Sequence, residues 1–564
     1  MAVEEPCLIK VSTTTKNEVR LTQDQRLSWT IFLGLGLLYL SLSPLSVVIM
    51  GYMPEFVTSA HQTLGNIGHF FGLYSSYTSI DLPRHGMVEV IFELPFVAIG
   101  QIFGGGWVDH LVSLEPIAMT AGICAIVFVW TRQLTESLKW AYLLTIAAAF
   151  TTMLWPYAYI ALETTQSFFL LLSGYLALGS SNRFPRRTAA FAICAAIAVS
   201  AKATGVFLVP AIALLMLWYC RLVPDQSSAR AAWLRQFDWR RLAFVGAVVL
   251  AVFSGNHYLQ MHSPVFVQLG GASGMMAKSI TSPTSIALNI FYLFTSANKG
   301  LFMYNPVLLV AFFALPSAWK NDRWIVVFAL LVLGGIVAGI SPTFFWSDEI
   351  WGPRYLHSAI APLLICLALS KRGIVFVWRR LVPIGLCMAA GLAISFLGIF
   401  FWCHLAHDAA VRSEWVTLEQ LQHAPEWNPI RFNAQLLRLW FKNDVLRQNI
   451  DQFWPPQGHP WVWVVPRNEW PPISRPVPVN LRRYATPQPF LFSSWRRWRT
   501  RSDVICWSVC LAALLVGFGI LFACGVAIFR SKASPIQGCG GGSQDEVCQR
   551  TPCHETTEPD PIGL

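Results

Sequence analysis

Long apolar stretches recur along this chain from residue 28 to residue 529, separated by short polar gaps that carry arginine and lysine. The bilayer core offers no water to backbone amides, so a run of about 20 apolar residues is expected to cross it as an α-helix. The pattern predicts an all-α polytopic membrane protein with about twelve transmembrane helices. The predicted spans are 28–50, 114–130, 139–155, 166–178, 188–218 (two short helices broken at AKATG), 242–259, 301–319, 324–340, 354–369, 381–403 and 503–529.

The positive charges predict how these spans are oriented. Loops rich in Lys and Arg stay in the cytoplasm, and four cations precede the first span, so the N-terminus is predicted to be cytoplasmic. Alternating the remaining gaps places most cationic loops inside, provided that the stretch 88–103 lies along the outer interface instead of crossing. An arginine group at 496–501 falls on the outer face, which indicates either a misplaced last hairpin or binding of head groups.

Composition and charge narrow the class of protein. Hydrophobic residues make up 54% of the chain and charged residues 13%, which excludes a soluble enzyme. The net charge of +11 is explained by the cytoplasmic loops, so no nucleic-acid partner is predicted. The predicted organisation is a cytoplasmic segment (1–26), a transmembrane module (27–403, with its first outer loop at 51–112), a small extracytoplasmic segment (404–502), a last transmembrane helix (503–529) and a disordered cytoplasmic tail (530–564). The cysteines of that tail are spaced unlike a zinc site, so no metal site is predicted there.

The first outer loop carries the first group of candidate catalytic residues. Glu55 lies a few residues beyond the first span, where partial desolvation would raise the pKa of its carboxyl group and suit it to act as a general base. An exposed loop glutamate is the alternative. Glu89 and Glu93 are four residues apart on one helical face and repel each other unless a cation, Arg84 or His85, is near. A solvated face on an interfacial helix is the alternative. The other candidates in this loop are Asp81, Arg84 and His85.

Later segments add a second carboxylate and several cations on the same predicted face. Glu163 follows a run of interfacial aromatic residues in WPYAYIALETTQ. Lys299 and Tyr304 belong to NKGLFMYNPVLL, and Arg354 belongs to WGPRYLHSAIAP. An arginine at membrane depth needs an anion, which is either a lipid phosphate or one of the neighbouring acids, Asp348 or Glu349, in a structural clamp. The first option suits an enzyme in which a carboxylate deprotonates an acceptor hydroxyl while cations stabilise a departing phosphate.

The order of these motifs resembles the C-type (GT-C) integral-membrane glycosyltransferases, in particular the bacterial protein O-mannosyltransferases and aminoarabinose transferases. The resemblance rests on the acidic residue after the first span, on HGMVEVIFELPF, ALETTQ and SAKATGVFLVP, and most specifically on GLFMYNP and WGPRYL. It implies a helical bundle with an outer cavity and a polyprenyl-phosphate-linked sugar as donor. It also implies inversion at the anomeric carbon, with Glu55 as base and Glu163 as a supporting acid. Asp81 or Glu89 is the alternative base.

The resemblance also bears on location, cofactors and competing functions. It implies a multi-pass protein of a bacterial inner membrane with its active site facing the periplasm. Some relatives need a divalent metal such as Mg²⁺ or Mn²⁺, although no ligand cluster in the sequence demands one. Two alternatives stay open, namely an O-antigen ligase or polymerase acting on lipid-linked glycans, and a transporter or flippase without covalent chemistry.

Overall fold

The computed structural model describes thirteen parts of the chain, and every structural statement here refers to them. They are residues 12–43, 53–70, 82, 86–104, 107–159, 163–179, 185–220, 238–263, 282–343, 351–370, 378–400, 428–442 and 501–530.

These parts are helical, as the apolar pattern predicts. The α-helices are α1 (Ser12–Ser41), α2 (Met53–Phe70), α3 (Val88–Ile102), α4 (Val108–Val112), α5 (Leu114–Thr135), α6 (Leu138–Thr151), α7 (Leu154–Tyr157), α8 (Glu163–Gly174), α9 (Pro185–Ser200), α10 (Val209–Tyr219), α11 (Trp239–Met261), α12 (Pro283–Thr295), α13 (Leu301–Tyr304), α14 (Pro306–Asn321), α15 (Arg323–Ile340), α16 (His357–Ser370), α17 (Trp378–Phe400), α18 (Pro429–Lys442) and α19 (Arg501–Arg530). Short 3₁₀ helices cover Ala203–Leu208 and Arg354–Leu356, and α8 continues as a π-helical turn over Tyr175–Gly179.

Five of these helical segments are long and apolar enough to cross a membrane, so the chain is a multi-pass membrane protein. They are His110–Thr135, Trp239–Met261, Arg323–Ile340, Val382–Phe400 and Trp507–Arg530. Four shorter apolar segments accompany them, at Leu138–Thr151, Arg187–Ser200, Ala203–Tyr219 and Arg354–Ser370. The number of about twelve spans stays a prediction.

The structure confirms one predicted helix boundary and changes several others. The predicted break at AKATG is confirmed, because α9 ends at Ser200 and a 3₁₀ helix precedes α10. The predicted span 301–319 is interrupted at Asn305, and the span 139–155 ends early at Thr151. Helix α2 lies in the predicted first outer loop and α12 lies between the predicted spans 242–259 and 301–319, and the sequence did not indicate either helix. Helix α1 reaches back to Ser12, into the predicted cytoplasmic segment.

Helix α16 lies at the centre of the described bundle. All of its residues from His357 to Ser370 are buried, and it packs against α5, α6, α8, α14 and α15. A helix that is apolar around its whole circumference is expected to lie in such a core. Its N-terminal end meets the beginnings of α5 and α8 and the end of α9. These are the ends that the charge pattern assigns to the outer face.

Candidate active site

Three charged side chains from distant parts of the sequence meet at this end of the bundle. Glu163 begins α8, Lys202 lies in the break after α9, and Arg354 lies in the 3₁₀ turn before α16. The Lys202 ammonium donates a hydrogen bond to Glu163 Oε1, and Arg354 Nε lies 3.7 Å from the same oxygen. Each of the three residues is at most 5% exposed. Charges this deeply buried are tolerated only when they are paired.

The break in the helix determines where the Lys202 side chain lies. Lys202 has an extended backbone, with φ −144° and ψ 150°, so the chain leaves the axis of α9 there. The Tyr355 ring then lies beside both cations, 4.6 Å from Lys202 Nζ and 4.8 Å from the Arg354 guanidinium carbon. A cation over an aromatic face is attracted by the partial negative charge that the π-electrons place on that face. Tyr355 therefore helps to hold the two cations beside a single carboxylate.

The WGPRYL segment is held in place by two tyrosines. The Tyr157 hydroxyl donates to the carbonyl oxygen of Trp351 at 3.0 Å. The Tyr304 ring meets the Trp351 ring edge-on, with centroids 5.2 Å apart. Gly352 has a φ of +65°, and a Cβ atom there would lie 2.9 Å from the Tyr304 ring. The glycine is thus required both by its backbone conformation and by the close approach of Tyr304.

A second polar network lies on the next turn of α8. Ser167 Oγ donates to the carbonyl oxygen of Glu163 at 2.5 Å, and it lies 2.7 Å from His357 Nδ1 and 2.9 Å from Ser358 Oγ. The imidazole of His357 also packs on the Tyr157 ring, with centroids 5.0 Å apart. The network links the beginning of α8, which carries Glu163, to the beginning of α16, which follows Arg354.

A group of three buried carboxylates lies beside the charged cluster. Glu89 and Glu93 on α3 face Glu115 at the start of α5, and all three residues are at most 1% exposed. Thr165 Oγ1 lies 2.7 Å from Glu115 Oε1 and 3.2 Å from Glu89 Oε2. Burial, followed by the charges of Glu115 and Glu89, raises the pKa of Glu93 well above its usual range.

This arrangement corrects one expectation from the sequence. The solvated helical face that was the alternative for Glu89 and Glu93 is wrong, because α3 turns both carboxyl groups into the protein. The cause is tertiary, since α3 packs against α2 and α4 and its first turn is held by α11. Interaction of Glu89 with the donor stays a prediction.

The remaining predicted site residues are described to different extents. The backbone of Glu55 belongs to α2, but its side chain lies outside the described residues, as do Asp81, Arg84 and His85. Asp348 and Glu349 also lie outside, so the clamp between them and Arg354 is untested. Lys299 is buried in the turn between α12 and α13, and Tyr304 packs against the segment that carries Arg354. Their roles toward substrate stay predictions.

Lys202 of the charged cluster and Glu115 of the carboxylate group were not chosen as site residues from the sequence. Lys202 was visible as a rare charge inside an apolar stretch, and such a charge is a functional candidate by default. Glu115 lies one residue inside a predicted span and carried the same signal. For the described residues, no group of three or more His, Cys, Asp or Glu side chains has a geometry that could hold a metal ion.

Comparison with solved structures finds distant likenesses. ArnT from Cupriavidus metallidurans bound to undecaprenyl phosphate is 13% identical, with a TM-score of 0.36, over 92% of this chain and 78% of its own. The archaeal oligosaccharyltransferase AglB from Archaeoglobus fulgidus, in complex with an inhibitory peptide and a dolichol phosphate, is 13% identical over 66% of this chain, with a TM-score of 0.36. A structure of the Archaeoglobus fulgidus oligosaccharyltransferase with zinc and sulfate is 14% identical over 70% of this chain, with a TM-score of 0.37.

These matches are weak. The chain spans only 55% and 56% of the two archaeal chains. No protein-family model and no curated protein matches the sequence. All three TM-scores are below 0.5, so the function is inferred below from the residues of the site alone.

Proposed function

We propose that this chain is a membrane glycosyltransferase that moves a sugar from a polyprenyl-phosphate donor to an acceptor hydroxyl on the outer, periplasmic face of a bacterial inner membrane. The observation that supports the proposal best is the meeting of Glu163, Lys202 and Arg354. Each of these residues comes from a different motif of the GT-C resemblance, namely ALETTQ, SAKATGVFLVP and WGPRYL.

The two cations suit the leaving group of such a reaction. When the bond between the anomeric carbon and the phosphate oxygen breaks, negative charge accumulates on the phosphate. Arg354 offers a planar fork of donors that matches phosphate oxygens, and Lys202 offers a compact point charge. Preorganised cations aimed at developing charge are a large source of rate in a buried site. Glu163 holds both cations in place before the donor arrives.

The proton of the acceptor hydroxyl needs a base. Glu55 is our candidate, because it lies a few residues beyond the first predicted span, in the first turn of α2. It would take the acceptor proton as the acceptor oxygen attacks the anomeric carbon from the side opposite the phosphate. The sugar would then be transferred with inversion, and the prenyl phosphate would be released. Glu163, bound to Lys202 as a carboxylate, would act as the supporting acidic residue.

Donor turnover by purified protein tests this proposal. The protein in nanodiscs is offered undecaprenyl-phosphate mannose, glucose or aminoarabinose, and release of undecaprenyl phosphate is followed. We expect Glu55→Gln to reduce turnover about 100-fold or more, as loss of a general base does. Arg354→Lys and Glu163→Gln should also impair turnover, because each disturbs the phosphate-facing cluster.

Matched substitutions at exposed positions serve as controls. Arg240→Lys and Glu136→Gln make the same chemical changes on the exposed surface, and both should leave turnover unchanged. Full activity in Glu55→Gln would keep the enzyme class and move the base elsewhere. No turnover with any of these donors would contradict the proposal and favour a transporter, for which buried ionisable groups are also characteristic.

The predicted orientation has its own test. Single-cysteine variants are made at two exposed positions, Ile102→Cys in the predicted first outer loop and Lys139→Cys beside the predicted cytoplasmic end of α6. A membrane-impermeant maleimide applied to intact spheroplasts should label Ile102→Cys only. Labelling of Ile102→Cys only after the membrane is opened would place the site in the cytoplasm and contradict the proposal.

A further inference from the structure

The hydrogen bonds around Ser167 determine which nitrogen of His357 carries a proton. Ser167 Oγ has one hydrogen, and it donates that hydrogen to the Glu163 carbonyl oxygen at 2.5 Å. Toward His357 Nδ1, 2.7 Å away, Ser167 can therefore only accept. The Ser358 hydroxyl, at 2.9 Å, must likewise donate to Ser167. The network is consistent only if His357 Nδ1 carries the hydrogen.

The opposite nitrogen of the ring is then a bare acceptor. In the neutral imidazole only one nitrogen carries a hydrogen, so Nε2 presents a lone pair. His357 is 1% exposed, and within the described part of the chain its Nε2 has no hydrogen-bond partner. A buried acceptor without a donor is unfavourable, and such atoms in native proteins call for an explanation, for example a ligand that is bound there.

The position of the ring points to the active site. His357 lies three residues after Arg354, and its partner Ser167 lies one turn of α8 after Glu163. The imidazole interacts electrostatically with both Glu163 and Lys202. Burial of the ring disfavours a second proton on Nε2, because a charged imidazolium would lose its hydration there. The same site therefore offers cations for a phosphate and a neutral acceptor for a hydrogen-bond donor.

We propose that His357 Nε2 accepts a hydrogen bond from a hydroxyl group of the sugar carried by the donor. This proposal rests on the proposed function, and it names a specific contact within that function. A phosphate oxygen cannot fill this position, because it is itself an acceptor and two lone pairs repel each other. A sugar hydroxyl is a donor, and it is attached to a ring that follows directly after the phosphate bound by Lys202 and Arg354.

Two substitutions separate this contact from a structural role of the ring. In His357→Asn the amide nitrogen can still donate to Ser167, but the acceptor at the position of Nε2 is lost. In His357→Gln an amide oxygen can reach the position of Nε2 and accept. We expect His357→Asn to remain folded and to lose about threefold to tenfold in kcat/KM, the usual worth of one hydrogen bond. His357→Gln should restore part of that loss.

Donors that lack single hydroxyl groups give the decisive readout. Monodeoxy analogues of whichever undecaprenyl-phosphate sugar is turned over are compared in the wild type and in His357→Asn. At one position of the sugar, removal of the hydroxyl should cost the wild type about threefold to tenfold in kcat/KM and cost His357→Asn nothing further. Losses that are equal in both proteins at every position would overturn the contact, because Nε2 would then face only protein or water.

The outcomes distinguish this contact from the proposed function. Absence of turnover with every donor would overturn the proposed function and the sugar contact together. Turnover with an unchanged deoxy profile would overturn the contact alone. If His357→Asn does not fold, ¹⁵N NMR of the wild-type imidazole replaces it. The Nε2 resonance should be that of a bare nitrogen, and undecaprenyl-phosphate mannose should move it, whereas undecaprenyl phosphate should not. A protonated Nε2, or one that the sugar donor leaves unmoved, would contradict the proposal.

Discussion

Asn256 on α11 connects two parts of the site, and its replacement by alanine tests how the site is held together. Its side-chain oxygen accepts from the backbone N–H groups of Met87 at 2.7 Å and Val88 at 3.2 Å, which begin α3. Its side-chain nitrogen donates to the carbonyl oxygen of Ser200 at 2.7 Å, at the end of α9. One amide thus ties the helix that carries the buried carboxylates to the break that positions Lys202.

The expected cost follows from the number of bonds that are lost. Asn256→Ala removes the three hydrogen bonds described above, each contributing about 1 kcal/mol net, so the free energy of unfolding should fall by about 3 kcal/mol. The backbone groups left without a partner are buried or partly buried, which favours the upper part of the range for such losses. Donor turnover should fall too, because Lys202 and α3 are no longer held in register.

Asn289→Ala is the matched comparison. Asn289 is also buried, but its side chain makes a single described hydrogen bond, to the carbonyl oxygen of Ser341 at 2.9 Å. Its replacement should cost about 1 kcal/mol. Both variants are measured by chemical unfolding in mixed micelles, with the wild type alongside. Equal losses for Asn256→Ala and Asn289→Ala, or full activity of Asn256→Ala, would refute the bridging role of Asn256.

Three further predictions follow from the geometry of the site. Glu163→Gln should reduce the free energy of unfolding by about 3–5 kcal/mol, more than Lys202→Met, because it leaves two buried cations without their shared carboxylate; equal losses would contradict this order. Gly352→Ala should abolish donor turnover, whereas Gly104→Ala, also at positive φ but with open space around its Cβ position, should retain it. An active Gly352→Ala variant would show that the Tyr304 ring can move away from the added methyl group. Burial and two neighbouring carboxylates raise the pKa of Glu93, on a helix outside the candidate spans, so the folded protein holds a proton that the unfolded chain releases. The free energy of unfolding should therefore fall as pH rises above about 5, and Glu93→Gln should weaken this fall when unfolding is measured at several pH values. An equal pH dependence of the free energy of unfolding in Glu93→Gln and the wild type would contradict the prediction.

Much of the fold was predictable because its signal is local. Apolar runs must form helices in a bilayer whatever their neighbours are, so segments such as 324–340 appear in the structure almost as predicted, as Arg323–Ile340. The break at AKATG was equally visible. The interruption at Asn305 was not predicted. The Asn305 side chain accepts a hydrogen bond from the backbone N–H of Met153 at 2.8 Å, and this contact joins residues too far apart in sequence to be read from the local pattern.

The candidate site divides in the same way. The sequence by itself determined that the chain is a multi-pass helical protein and that Glu163 and Arg354 are candidates for chemistry. Only the tertiary structure decided that Lys202 is the direct partner of Glu163, that Glu89 and Glu93 are buried with Glu115, and that Ser167 orients His357. The reason is physical, since the free energy of a charged or polar group depends on what lies within a few ångströms of it, and packing between distant segments sets those neighbours.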